Sequence, residues 1–193
     1  YINIKYIMEY LNKFYSIIYY MTEYNSLIIY KNQLAVITEV SEKISIKYQS
    51  SPKTSTGKSA IYSIQKIREK DMTLLYPANL IKEKKQLQNL NKPESIIEYL
   101  LEIAEDKNYQ GDINSKIQET HELLISDDET QNSSFSFFEL AELCLGEFLA
   151  KDSWIFYQQL KATHYFKEES ENFVPRSLSE IEKILDKENA KEN

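Results

Sequence analysis

Residues 113–177, INSKIQETHELLISDDETQNSSFSFFELAELCLGEFLAKDSWIFYQQLKATHYFKEESENFVPRS, hold the pattern on which the fold reading turns. Over 113–125, Ile113, Ile117 and Leu124 fall on one helical stripe, closed by either His121 or Leu123. The polar run SDDETQNSS interrupts it. Ser136 then stands where a helix cap belongs, with Glu139 in the reciprocal position and Gly146 as a stop. Asp152 is placed to cap a third helix, SWIFYQQLKA. THYFKEESENFVPR follows as two aromatic-rich runs around a charged tip, 167–172, the form of a hairpin ended by Pro175. Ser177 and Glu180 open a last helix over 178–188, with Leu178, Ile181, Ile184 and Leu185 on one side, and residues 189–193 read as a disordered tail. Short helices followed by a two-stranded wing predict a winged helix over 113–188. That fold hosts nucleic-acid binders and protein-docking modules alike, so function has to come from its side chains.

Upstream, the period shortens. Leu27 to Tyr30 is a candidate strand, Lys31 and Asn32 a turn, and 34–40 the next run. In 44–48, Ile44, Ile46 and Tyr48 alternate with Ser45 and Lys47, which implies one buried face. QSSPKTSTGKS is a polar loop, Ile61 and Ile64 belong to a fourth run, and 72–75 is a fifth before Pro77. A sheet this small covers its apolar face by curling, so 25–78 is expected to be a five-stranded, barrel-like β domain. Residues 79–112 read as a basic linker and a connecting helix begun at Pro93, with Ile96, Ile97, Leu100, Leu101 and Ala104 on one face and a turn over 108–112. The fold class is α+β: a small five-stranded barrel-like domain followed by an α-helical winged-helix domain.

Residues 1–24 are expected to be an extension, either upstream of a start at Met21 or accessory to the fold. Lys5, Glu9 and Lys13 divide its apolar run, which argues against a membrane span, and no small-residue cleavage site follows. A cytoplasmic location is therefore expected. A single cysteine among 193 residues excludes an internal disulfide, and Cys144 sits in an apolar helix where core is the expected role.

Charge divides the chain. Residues 43–92 carry eleven Lys and Arg against three acidic residues, a net of +8, whereas 93–193 carry nine against twenty-three, a net of -14. A polyanion is drawn to the first segment and repelled by the second unless a local patch overrides the total.

Chemistry is mostly absent from the motifs. TSTGKS resembles the end of a phosphate-binding loop, but Pro52 replaces the required small residue and a β-like run follows instead of a helix. His121, His164 and Cys144 are too few for a zinc site, and Asp127, Asp128 and Glu129 lack calcium-loop spacing. No metal site, catalytic residue or cofactor is assigned. Trp154, Phe156, Tyr157, Tyr165, Phe166 and Phe173 could stack bases, although helical spacing favours core packing. Lys161, His164, Lys167 and Arg176 rim the wing, with Gln158 and Gln159 on the third helix, but Glu168, Glu169 and Glu171 crowd the wing tip.

The order of these elements resembles a known family. LIIYKNQLAVITEV opens the β unit, SIQKIREKDMTLLYP closes it, and a winged helix ends in YFKEESENFVPRS. Over residues 25–180 this is similar to the N-terminal, non-catalytic portion of ribonuclease II-like (RNB family) 3′–5′ exoribonucleases, most of all the bacterial, cyanobacterial and organellar type. One departure is His121, two positions ahead of Leu123, where that group carries an aromatic residue. The resemblance implies an accessory region that guides single-stranded RNA or packs on the nuclease body. Mg2+ is expected only for an aspartate domain that this chain does not contain, so no activity is expected of the chain alone. The implied RNA contacts are Lys43, Lys47, Lys53, Lys58, Lys66, Arg68 and Lys70 on the small barrel, with Lys161, Lys167 and Arg176 at the wing. The alternatives are a winged-helix protein–protein docking module, marked by an apolar patch on the Pro93 helix or the last helix, and a dimeric DNA-binding regulator. Oligomeric state is left open.

Overall fold

Two residues with left-handed backbone, Lys31 (φ 48°) and Asn32 (φ 61°), join β1 (Leu27–Tyr30) to β2 (Gln33–Val40). Positive φ at both turn positions matches the right-handed twist of the flanking strands, so this hairpin closes in register, Tyr30 opposite Gln33. The computed structural model describes residues 23–54, 57–87 and 89–192. Expectations for residues 1–22 lie outside the described residues. The chain forms two units, Tyr1–Tyr99 and Leu100–Asn193.

In the first unit, β3 (Ile44–Ser51), β4 (Ile61–Ile67) and β5 (Thr73–Tyr76) complete an antiparallel sheet of order β4-β3-β2-β1-β5. Ile28, Tyr30, Ala35, Ile37, Ile44, Ile46 and Ile67 form the core of one face, joined by Tyr48, Met72 and Leu74. Leu27, Leu34 and Val36, of opposite parity, are also buried, so the middle of the sheet is covered on both sides. This corrects the single buried face expected from alternation. Ser45 is buried too, because β3 is an inner strand and its hydroxyl donates to Glu39 Oε2 at 3.3 Å. Among the described residues β4 and β5 do not pair, and no closed barrel is found. After Pro77 the basic stretch makes only a six-residue helix, α1 (Ala78–Glu83), before Lys85 and Leu87 turn with positive φ. α2 (Pro93–Glu105), which begins in the first unit and ends in the second, buries Ile96, Ile97, Leu100 and Ala104, the face expected for it.

The second unit holds α3 (Lys107–Ile125), α4 (Phe137–Leu145), α5 (Ala150–Ala162), the hairpin β6 (Phe166–Glu169) with β7 (Asn172–Pro175), and α6 (Leu178–Glu192). The capping box at Ser136 and Glu139 forms as expected. Gly146 ends α4 at φ 76°, a conformation that side chains resist. The Phe137 ring lies 5.5–6.3 Å from those of Phe148, Phe156, Tyr157 and Phe173, which joins α4, α5 and the hairpin in one core.

Three expectations are corrected here. α3 begins six residues before Ile113, because Asp106 accepts from the Asn108 and Tyr109 amides and turns 108–112 into helix. Asp152 is no cap. α5 starts at Ala150, and Asp152 is buried in its first turn. Residues 189–192 continue α6 rather than forming a disordered tail. The stripe of α3 closes with His121, buried at 1%, while Leu123 is 61% exposed.

Candidate nucleic-acid interface

The cations of the first unit divide by what the fold does to each. Lys47 points from the inner strand β3 to Glu94 at the start of α2, and only 19% of its side chain is exposed. The bond from Lys47 holds the Glu94 carboxyl below its usual range, helped by the helix-start backbone. Arg68 donates twice to Asp71 across the short 3-10 turn Glu69–Asp71, at 2.9 and 3.3 Å. Both side chains are committed within the unit. Lys43, Lys53, Lys58, Lys66 and Lys70 are exposed, and no ion pair involves them among the described residues.

Register locates these five. Ile44 faces Ile67 and Ser45 faces Lys66, so Lys43 in the β2–β3 turn, Lys66 and Lys70 share one end of the β3–β4 pair. Lys53 and Lys58 occupy the loop at the other end, beyond the Ser51–Ile61 pair. A seven-residue strand, β4, separates the two groups by roughly 20 Å. The loop is braced by its own backbone: the Thr54 amide donates to Lys58 O at 3.1 Å, and the Lys58 amide to Thr54 Oγ1 at 3.2 Å. Strand β4 follows it, so no helix start is available there to hold phosphates.

The cations at the β6–β7 hairpin are paired with neighbouring groups. Lys161 pairs with Glu168. Lys167 pairs with Glu169 at 3.0 Å and Glu180 at 3.6 Å. Arg176 donates to the carbonyls of Phe166 at 2.7 Å and His164 at 3.3 Å, tying the base of the hairpin. Most of the aromatic candidates are internal, with Tyr157 and Tyr165 half-buried. Trp154 is 5% exposed and stacks on Tyr157, and Phe156, Phe166 and Phe173 are buried. On α5, Asp152, Ser153, Trp154, Ile155, Phe156 and Leu160 are all buried, which leaves little surface to enter a groove.

Sequence reading missed a polar cluster behind that helix. Asp152 Oδ1 accepts from Tyr109 Oη and from Lys151 Nζ, and Lys151 also donates to Tyr109 at 2.8 Å. Burial works against the Lys151 charge, but Asp152 and Tyr109 outweigh it and hold the ammonium above its usual range. Burial, then Asp152, raises the Tyr109 phenol. Asp106 as a cap was the available signal, obscured by Gly111 in the first turns of α3. Among the described residues no group of three His, Cys, Asp or Glu could hold a metal ion, and no helix is long and apolar enough to cross a membrane.

No family model matches the chain, and no curated protein or solved structure shows significant similarity to it.

Proposed function

We propose that this chain is an RNA-guiding accessory region of a ribonuclease II-like 3′–5′ exoribonuclease, acting in the cytoplasm, with its Mg2+-dependent chemistry in an aspartate domain elsewhere. The observation that carries the reading is the set of five exposed lysines, Lys43, Lys53, Lys58, Lys66 and Lys70, at the two ends of the β3–β4 pair. No ion pair in the described residues engages them, and the spacing suits several consecutive phosphates of a flexible single strand. The finer fold reading rests on similar support. Only five residues, including a 3-10 turn, link the two edge strands β4 and β5, and so short a link supports a sheet curled toward a barrel. In the second unit, the helix–helix–helix–hairpin order and the bridge of Phe135 to Phe173 support a winged helix.

A titration of labelled single-stranded RNA of about 20 nucleotides, followed by anisotropy, tests the proposal. Five phosphate contacts predict affinity about 100-fold weaker at 200 than at 50 mM salt. Changing Lys53, Lys58, Lys66 and Lys70 to Gln should remove most of that salt dependence. Absence of binding at 50 mM salt rejects the RNA reading for the chain.

A second reading applies to the second unit, where Leu178 is 61% and Leu185 45% exposed on α6 and Leu123 is 61% exposed on α3. With Lys161 and Lys167 held in surface ion pairs with glutamates, these apolar side chains support docking on a protein surface, such as the nuclease body, more than contact with nucleic acid. Nothing in the second unit favours a DNA-binding regulator.

A further inference from the structure

We infer that the outer edge of β4 accepts an extended acidic polypeptide as an additional strand of the sheet. Among the described residues β4 pairs with β3 alone, although it runs for seven residues without proline. Edge strands with these properties template further pairing unless guarded. Ile61 is 59% and Ile64 65% exposed on β4, and their opposite parity puts one on each face of the strand. An added strand would therefore cover an apolar side chain on both faces while using the free backbone groups. Charge selects the occupant. Lys58, Lys66 and Lys70 lie at the ends of this edge, exposed and without an ion pair among the described residues, while the acidic groups nearby are already engaged, Glu98 by Tyr62, Glu94 by Lys47 and Asp71 by Arg68. A second copy pairing antiparallel about Ile64 would bring Lys58 against Lys70 at each end, which disfavours self-association. A basic segment is disfavoured for the same reason, and RNA lacks the alternating amide and carbonyl groups that continue a ladder. An acidic segment with alternating β-branched residues satisfies the backbone, packs its β-branched side chains on the face of Ile61, and sets its carboxylates on the face that carries Ile64 and Lys66. This inference shares Lys58, Lys66 and Lys70 with the proposed RNA contacts, but its other half, the unpaired strand edge with its two isoleucines, does not require that RNA binds.

The test is amide hydrogen exchange of the full chain with an end-blocked peptide of alternating Val and Glu, beside a Val–Lys counterpart and a single-stranded RNA. Alternate amides within 61–67 should slow about tenfold at saturation with the acidic peptide and under twofold with the basic one. Ile64→Glu, which removes the apolar side chain and repels the acidic peptide, should abolish the slowing while leaving the protection of β1 and β2 unchanged, which shows the variant to be folded. The inference fails if no β4 amide slows at peptide concentrations up to about 1 mM. It also fails if both peptides act alike, if RNA slows the same alternate amides, or if slowing follows protein concentration without peptide.

Discussion

Cys144 and Lys47 illustrate how burial assigns a side chain its role. Cys144 is buried in α4, and burial pushes its thiol up to about 12 despite a hydrogen bond from Thr120. Such a thiol is almost entirely protonated at neutral pH and shielded as well. Native protein should therefore react with a thiol reagent at least 100-fold more slowly than denatured protein, and fast native labelling would mean that α4 opens readily. Lys47 lies half-buried beside Glu94, whose carboxyl it depresses below the ordinary 4.5. A depressed carboxyl contributes stability above its unfolded value and loses it as pH falls through its folded value. Lys47→Met should therefore lower the Tm by a few degrees at pH 6, for a pair worth up to about 1 kcal/mol. The gap between variant and parent should close toward pH 3. A gap that persists there would assign the effect of Lys47 to packing instead.

Helix α5 owes its place to both faces of its first turn. Asp152, with 7% of its side chain exposed, accepts from Tyr109 on α3 and from its neighbour Lys151. Replacing it with Ala strands those donors, so Asp152→Ala should cost about 1–3 kcal/mol in denaturant unfolding. In the Tyr109→Phe background the same change should cost measurably less, because the two share one bond; additive losses would show that they act separately. α4 depends on its capping box, in which Ser136 Oγ accepts from the Glu139 amide at 3.3 Å and Glu139 Oε2 accepts from the Ser136 amide at 2.8 Å. Ser136→Ala should cost about 1 kcal/mol. The matching box at Ser177 and Glu180 starts a helix that is largely exposed, and its loss should register less in global unfolding.

For the molecule as a whole, charge separates two stretches of the chain. Residues 43–92 carry +8 and residues 93–193 carry -14. If RNA is bound, its affinity should therefore reside in the first unit. Changing Lys161 and Lys167 to Gln should leave RNA affinity in the full chain within about twofold, while the quadruple change at Lys53, Lys58, Lys66 and Lys70 should reduce it by well over tenfold at 50 mM salt. Equal losses from both sets would return the wing to consideration as an RNA contact.

Local patterns were legible in the chain alone: five strands, the Lys31–Asn32 turn, the Pro93 helix, the Ser136 and Ser177 caps and the 166–175 hairpin. Each depends on residues within a few positions of one another, so short-range sterics and hydrogen bonding suffice to encode them. What no local pattern could supply was the fate of each charge. Lys47 meets Glu94 across 47 positions, and Tyr109 meets Asp152 across 43. Seven basic residues that looked equivalent thus became one half-buried pair across 47 positions, one exposed pair three positions apart and five exposed lysines. A side chain's availability depends on which distant carboxylate the fold delivers to it, and that is a property of packing, not of neighbouring sequence.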